Sequence, residues 1–339
     1  MEEFRSSLHT QITALITAFW GSFIIAAILS IPILKLLNRL KSRQTVSQHA
    51  PEGHQQKQGT PTMGGLIIIA GVLGGGLLTG DLTGSHFPLY LLFVLFAIIG
   101  FVDDYVVPKL MPGTRGLGWK QKILMQLVAA TFSMILLTNG SVKQFDSIAL
   151  GVFAILFFSN AFNFVDGLDG LAGGVLLAML FGLLGVQSAL SITNGPLLMS
   201  QIIAGATLPF LFWNAPKARV FMGDVGSLAI GSFLGASFFA GTRSSTPMAI
   251  PTYGYLALFL WSFVMIAELV PVPLQIASVK LRKKKLFPYT PIHHAFEKAG
   301  WPETRVVFMF VIVQVCCSVA AQQLGQLQQL ETMVAVSNR

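Results

Sequence analysis

Five aspartates stand in three short motifs, each next to an apolar run, and they are the side chains with the clearest capacity for chemistry. They are Asp103, Asp104, Asp166, Asp169 and Asp224. Adjacent carboxylates repel each other unless a metal ion, a lysine or a proton lies between them, and hard divalent cations prefer carboxylate oxygens. The motifs therefore predict cation-dependent chemistry on a phosphate, although each one alone is also compatible with a solvated helix end.

The second motif, residues 160–170, holds more polar side chains than a helix cap requires. Asn163, Asp166 and Asp169 repeat every three residues, and on a helix this spacing places them on one face. Two glycines in the motif permit tight turns and close approach of a ligand. In the third motif Asp224 begins an apolar run between two glycines, which suits a cation or phosphate site or an ordinary N-cap aspartate.

Basic and histidine residues could complete such a site. Lys57 lies in a glycine-rich loop and offers a charge for a phosphate, but the spacing of a P-loop is absent. The paired His293 and His294 could bind a metal ion, hold a phosphate or move a proton, or simply be polar surface residues. The lysine run at 280–285 is interpreted as a topological signal or a contact with anionic lipids.

The composition indicates which elements must carry these residues. Of 339 residues, 53% are hydrophobic and 11% are charged, whereas a soluble domain is usually about 25% charged. Apolar runs of about 20 residues predict membrane-spanning helices, so the sequence predicts an all-α polytopic membrane protein. Ten runs are present, at 12–37, 62–80, 86–102, 121–138, 147–162, 170–190, 197–213, 225–241, 252–277 and 304–323. Pro251, Pro271 and Pro273 predict a break near the end of the ninth run.

The basic residues predict how these ten helices are oriented. With the amino terminus outside, 18 of the 22 lysines and arginines fall on the inner side and 4 on the outer side, as the positive-inside rule requires. Both termini are then periplasmic, and the five aspartates lie at the cytoplasmic face. The connections are too short for a separate soluble domain, so residues 1–339 form a single membrane domain. A basic face with interleaved aromatic residues is missing from the sequence, which argues against nucleic-acid binding.

Five segments resemble, in this order, the motifs of one family: the bacterial phospho-N-acetylmuramoyl-pentapeptide-transferases, within the polyprenyl-phosphate sugar-1-phosphate transferase superfamily. They read GTPTMGG, GFVDDY, NAFNFVDGLDGLA, FMGDVGSLAIG and PIHHAFE, and the resemblance spans residues 57 to about 301. Any one segment would be a weak signal. Five in order are specific.

The resemblance implies a ten-helix enzyme of the bacterial inner membrane that acts in peptidoglycan synthesis, with its active site at the cytoplasmic face. The implied substrates are UDP-N-acetylmuramoyl-pentapeptide and undecaprenyl phosphate, and the implied products are UMP and lipid I. The family also implies a Mg²⁺ cofactor and a homodimer surrounded by membrane lipids. Direct attack by the lipid phosphate is favoured over an aspartyl-phosphate intermediate, and the sequence leaves both open.

Motif position also implies roles for single residues. Asp224 is the expected magnesium ligand, and Asp103 is the expected acceptor of a proton from the lipid phosphate, with Asp104 beside it. Phe221 is expected to stack on uracil, and Lys122 matches a lysine that contacts a phosphate. The residues expected around the nucleoside are Lys57, Gly167, Leu168 and Asp169. The remaining active-site positions are Thr62, Asn160, Asn163, Asp166, His293 and His294.

The sequence departs from the family pattern at two places. The family usually has three consecutive histidines where this chain has His293, His294 and Ala295. The lysine that commonly follows the aspartate pair is also missing, and the nearby Lys109 is not expected to substitute for it. These departures leave the reaction class unchanged and concern the contacts to the sugar.

Two alternatives stay open at this point. A sister transferase that uses UDP-N-acetylglucosamine with the same lipid would share the phosphate chemistry and would differ around residues 286–301. A secondary transporter would require charges near mid-membrane and an internal inverted repeat. Glu268 is the only acid well inside a predicted span, and no repeat is visible.

Overall fold

A computed structural model describes residues 2–40, 59–84, 86–114, 116–138, 145–189, 195–242 and 252–337. Within these ranges the regular structure is helical, which confirms the all-α prediction. The helices are α1 Glu2–Leu40, α2 Gly65–Leu78, α3 Phe87–Phe101, α4 Val107–Leu110, α5 Trp119–Leu137, α6 Phe145–Val165, α7 Leu171–Ala189, α8 Gly195–Asn214, α9 Gly223–Thr242, α10 Thr252–Trp261, α11 Phe263–Leu269, α12 Pro271–Arg282, α13 Ile292–Lys298 and α14 Glu303–Ser337.

Eight helical segments of the described chain are long and apolar enough to cross a membrane. They are Ile12–Leu40, Phe87–Leu110, Trp119–Leu137, Phe145–Val165, Pro196–Asn214, Gly223–Thr242, Phe263–Arg282 and Glu303–Glu331. Two shorter apolar helices, Gly65–Leu78 and Leu171–Gln187, lie where two further spans are predicted. The chain is therefore a multi-pass membrane protein, while the count of ten spans and the side of each terminus stay predictions.

Proline accounts for a break in the ninth predicted span. Helix α11 ends at Leu269 and α12 begins at Pro271, because proline has no amide hydrogen to continue the ladder of hydrogen bonds. The predicted break near the end of this span is confirmed. A second interruption, at Ser262 between α10 and α11, carries no proline and was not predicted.

Helix α9 is the central element of the bundle. It packs against α6 on one side and α3 on the other, and most of its residues are buried. Glycine makes the contact with α6 close: a Cβ atom at Gly231 or Gly235 would lie 2.5 Å from the Cα of Ser159 or Ile155. Small residues allow membrane helices to approach in this way. As a result, the amino-terminal end of α9 is held between the ends of α3 and α6.

Candidate active site

Three carboxylates meet where α3 and α9 approach each other. Asp103 and Asp104 lie on a π-helical turn, Val102–Val106, that continues α3, and Asp224 lies in the first turn of α9. Each offers an oxygen atom within 4.8 Å of the others. A set of hard carboxylate oxygens at this spacing fits a divalent cation such as Mg²⁺.

Lys122 is the cation that the described chain places among these carboxylates. It extends from the first turn of α5, contacts the carboxylate of Asp224, and has its Nζ 3.5 Å from Oδ2 of Asp103. One ammonium group cannot neutralise three ionised carboxylates. The arrangement therefore favours binding of a further cation.

The π-turn directs the two adjacent aspartates to different partners. Oδ1 of Asp103 accepts a hydrogen bond from the Leu117 amide at 2.6 Å, just before α5. Oδ2 of Asp104 accepts one from the Val225 amide at 3.1 Å, at the start of α9. An inserted residue of this kind is frequent at functional sites, and here it joins the ends of three helices.

Glycine is required at the entry to α9. Gly223 has a φ of +72°, and a Cβ atom there would lie 2.5 Å from Oδ2 of Asp104 and 2.6 Å from Oγ1 of Thr62. The preceding segment pairs with residues 61–65 through the Phe221 amide, which donates to the Pro61 carbonyl at 2.9 Å. This pairing places Thr62 and Phe221 beside the carboxylates.

The two asparagines of α6 have different partners. Nδ2 of Asn163 donates to Oδ1 of Asp224 at 2.7 Å and to Oγ of Ser227 at 2.8 Å, so Asn163 orients the Asp224 carboxylate. Nδ2 of Asn160 donates to Oε1 of Gln126 on α5 at 2.8 Å. Asn160 thus joins α6 to α5, one helical turn away from the carboxylate cluster.

The interpretation that Asn163, Asp166 and Asp169 share one helical face is wrong. Helix α6 ends at Val165, and residues 166–170 form a turn in which Gly170 has a φ of +80°; this conformation is easily adopted only by glycine. Oδ2 of Asp166 accepts from the Gly223 amide at 3.1 Å and stays next to Asp224.

Asp169 makes its contacts outside the carboxylate cluster. Its Oδ2 accepts from the Ala218 amide at 2.9 Å, and its own amide donates to Oε1 of Glu303 at 2.7 Å. Leu168 beside it is buried. The five aspartates therefore do not surround one point: three form the cluster, Asp166 borders it, and Asp169 ties the turn to the loop before α9.

The two histidines lie beside the turn at residues 166–170. Their rings lie 4.1 Å apart between centroids, and a Cβ atom at Gly167 would be 2.5 Å from Nε2 of His293. Each has a carboxylate partner: Glu268 for His293 at 2.9 Å and Glu297 for His294 at 2.6 Å. Glu268 was not predicted to lie in the site, although its isolation inside an apolar span was a signal.

The remaining predictions concern two lysines. Lys57 lies outside the described residues, so its contact with the nucleoside stays a prediction. Nζ of Lys109 donates to the Tyr105 hydroxyl at 3.1 Å on the exposed side of the π-turn. Lys109 therefore does not occupy the place that Lys122 takes among the carboxylates.

Comparison with known proteins identifies the class first. A model of glycosyl transferase family 4 matches residues 86–242, the part of the chain that carries all three carboxylates of the cluster. A second model, signature 1 of phospho-N-acetylmuramoyl-pentapeptide-transferase, matches residues 57–69. The chain, with its apolar helices and acidic site, is therefore similar to glycosyl transferases of family 4.

Full-length relatives narrow the class to a family. The phospho-N-acetylmuramoyl-pentapeptide-transferase of Staphylococcus carnosus is 36% identical over 314 residues, covering 86% of this chain and 93% of the relative. The enzyme of the same name from Moorella thermoacetica is 35% identical over 315 residues, covering 88% and 94%. The chain belongs to the phospho-N-acetylmuramoyl-pentapeptide-transferase family, and the transporter alternative is excluded.

Proposed function

We propose that this enzyme transfers phospho-N-acetylmuramoyl-pentapeptide from UDP to undecaprenyl phosphate in the bacterial inner membrane, releasing UMP and lipid I. The observation that carries the proposal is the cluster of Asp103, Asp104 and Asp224 around Lys122 at the ends of α3, α5 and α9. Two phosphates that repel each other can meet only where charge is neutralised. The names of the relatives support the choice of sugar donor.

The reaction exchanges one phosphorus–oxygen bond for another. An oxygen of the lipid phosphate attacks the sugar-linked phosphorus, the bond from that phosphorus to the UMP oxygen breaks, and UMP leaves with the electron pair. Direct attack needs an acceptor for the proton of the lipid phosphate. Asp103 is proposed for this task because its Oδ1 is already oriented by the Leu117 amide, leaving Oδ2 beside Lys122.

The other residues of the site bind and orient. Lys122 neutralises phosphate charge, Asn163 holds the Asp224 carboxylate, and Phe221 with the turn at residues 166–170 is proposed to bind the uridine. Asp224, with Asp104 beside it, would hold Mg²⁺, which leaves Asp103 for the proton. When bound, this ion supplies Lewis-acid stabilisation of the charge that develops on the leaving phosphate.

The location of the site suits a lipid substrate. The carboxylates lie at helix ends, and the basic residues predict that these ends face the cytoplasm. The polyprenyl chain can then stay in the bilayer while its phosphate reaches the soluble nucleotide. We also propose a homodimer, on the family resemblance, which mass measurement of the protein in native lipid discs would check.

The test is UMP release by the purified protein with undecaprenyl phosphate and each of two donors, with and without Mg²⁺. We expect release from UDP-N-acetylmuramoyl-pentapeptide that stops when the ion is chelated and returns when it is added back. UMP release only with UDP-N-acetylglucosamine would assign the chain to the sister reaction. Release with the expected donor at full rate after chelation would overturn the role of the carboxylates in metal binding.

A further inference from the structure

Glu268 is a fully buried carboxylate near the carboxyl end of α11, and both of its oxygens bond to one residue. Oε1 accepts from the backbone amide of His293 at 3.1 Å, and Oε2 lies 2.9 Å from Nδ1 of the same ring. Both side chains are shielded from solvent, with exposures of 0% for Glu268 and 1% for His293. A carboxylate in such a place needs partners that donate hydrogen bonds.

The partners determine the protonation pattern of the ring. A backbone amide can only donate, and a carboxylate can only accept from Nδ1 if that nitrogen carries a hydrogen. The neutral ring of His293 therefore has its hydrogen on Nδ1 and a lone pair on Nε2. The partner of one ring nitrogen sets the function of the other.

Nε2 of His293 is buried and finds no hydrogen-bond partner within the described part of the chain. It faces the turn at residues 166–170, where a Cβ atom at Gly167 would lie 2.5 Å away. The same turn carries Asp166, whose Oδ2 accepts from the Gly223 amide next to Asp224. A buried acceptor without a partner is costly unless a ligand or a moving segment supplies one.

We propose that Glu268 is a positioning residue, which holds His293 so that Nε2 accepts a hydrogen bond at the turn of residues 166–170 when the sugar donor binds. The inference rests on the proposed function. The bonding group is a hydroxyl or N–H of the nucleotide-linked donor. Gly167 permits the approach, because only glycine leaves the ring room beside the backbone of the turn.

Replacing Glu268 with glutamine separates this role from simple packing. Glutamine has nearly the same size but one acceptor and one donor end. The backbone amide of His293 cannot change from donor to acceptor, so the amide oxygen of the glutamine stays with it and the NH₂ group faces Nδ1. The ring can adapt only by moving its hydrogen to Nε2, which converts the nitrogen at the turn from an acceptor into a donor.

The experiment compares Glu268→Gln with Asp81→Asn in the full-length protein. Asp81 is a matched control, because it is also a buried carboxylate bonded to a histidine Nδ1 but lies far from the site, between α2 and α3. ¹⁵N spectra of histidine-labelled protein would report the tautomer of His293, identified by its loss in His293→Gln. Steady-state UMP release would report kcat and KM, and thermal unfolding would report stability.

We expect Nδ1–H in the wild type and Nε2–H in Glu268→Gln, with kcat about 10- to 100-fold lower, as for other residues that orient a functional histidine. The unfolding temperature of this variant should stay within a few degrees of the wild type. Asp81→Asn should keep the His293 tautomer and the wild-type kcat.

A wild-type Nε2–H tautomer would overturn the inference, as would a Glu268→Gln enzyme with normal kcat or one that loses kcat only in proportion to folded protein. The wild-type spectrum decides the tautomer even if Glu268→Gln does not fold. Failure of the proposed function is a separate outcome, namely a wild-type enzyme that releases no UMP from the expected donor.

Discussion

Two arrangements of carboxylates, in different parts of the molecule, are built on opposite principles. Between α2 and α3, Asp81 accepts hydrogen bonds from the Tyr90 hydroxyl at 2.9 Å and lies 2.5 Å from Nδ1 of His86. Each oxygen of this single carboxylate has a partner. The cluster at the ends of α3 and α9 instead brings three carboxylates around one lysine.

The difference separates a structural carboxylate from a functional one. Both oxygens of Asp81 are bonded to neighbouring side chains. Asp81 therefore ties the α2–α3 connection to α3 and offers no free oxygen atom to a ligand. The cluster concentrates negative charge that its own residues do not balance, an arrangement that costs stability and recurs at sites where charge is needed for chemistry. Neutralising one carboxylate should therefore have opposite effects in the two places.

The largest expected effect is loss of turnover in Asp224→Asn. UMP release should fall at least ~100-fold, the scale seen when a preorganised electrostatic group is removed from a site. The unfolding temperature should stay within a few degrees of the wild type, because a repelling charge is lost together with the ion pair to Lys122. Asp81→Asn should do the reverse, keeping turnover and lowering the unfolding temperature. Equal loss of stability in both variants would remove the distinction between the two groups.

Lys122 tests whether the cluster needs its internal cation. Lys122→Met removes the positive charge between Asp103 and Asp224 and should lower kcat/KM about 100-fold. Lys109→Met is a suitable control, since Lys109 contacts Tyr105 on the exposed side of the π-turn and its loss should change kcat/KM less than about twofold. If the two variants behave alike, Lys122 is not the lysine that serves the phosphates.

Binding of Mg²⁺ tests the difference between Asp81 and the carboxylate cluster without an activity assay. A ligand that binds only the folded state raises stability by RT ln(1 + [L]/Kd), about 2.7 kcal/mol at 100 times Kd. Mg²⁺ should therefore raise the unfolding temperature of the wild type and of Asp81→Asn, but not of Asp224→Asn. An equal rise in all three proteins would place the ion elsewhere.

The sequence predicted the elements better than their junctions. Long apolar runs identify membrane helices whatever their neighbours, so the helices lie at all ten predicted runs. The approach of Asp103, Asp104 and Asp224 was also predicted, because all three lie at the ends of apolar runs on one charged side: the first two follow a run and the third begins one. The contacts of Asp169 were not predictable, because its position depends on the glycine-containing turn at residues 166–170 and not on the periodicity of a helix.

Glu268 shows the other limit of sequence reasoning. Its partner His293 lies 25 residues later, beyond the break at Pro271, and no spacing rule connects the two. The packing of α11 against α13 brings them together. A single acid in an apolar span indicates that a partner exists, but only the tertiary structure identifies that partner.

Gly167→Ala should reduce activity by a smaller factor. The added Cβ atom would lie 2.5 Å from Nε2 of His293, and the ring cannot retreat easily because Glu268 holds it on the opposite side. Overpacking of this kind costs about 1–3 kcal/mol, so we expect about tenfold lower kcat and a modest fall in unfolding temperature. Gly173→Ala is a control in α7, where the closest contact of the new atom, at 2.8 Å, is with the end of the flexible Leu211 side chain.

The smallest expected effect is a pH dependence of stability at the α2–α3 connection. The hydrogen bond to Asp81 raises the pKa of His86 above its usual value, although partial burial opposes the shift. A raised pKa in the folded state stabilises the protein while the histidine is protonated, and the benefit is lost as the pH rises through that pKa. Because His86 is partly exposed, the difference in unfolding temperature between wild type and His86→Gln should be only about 2 °C near pH 6. This difference should shrink toward about pH 9, which is well above the ordinary pKa of histidine. A difference that grows with pH would show that His86 acts in its neutral form, as an Nδ1–H donor to Asp81, and not as a cation beside a carboxylate.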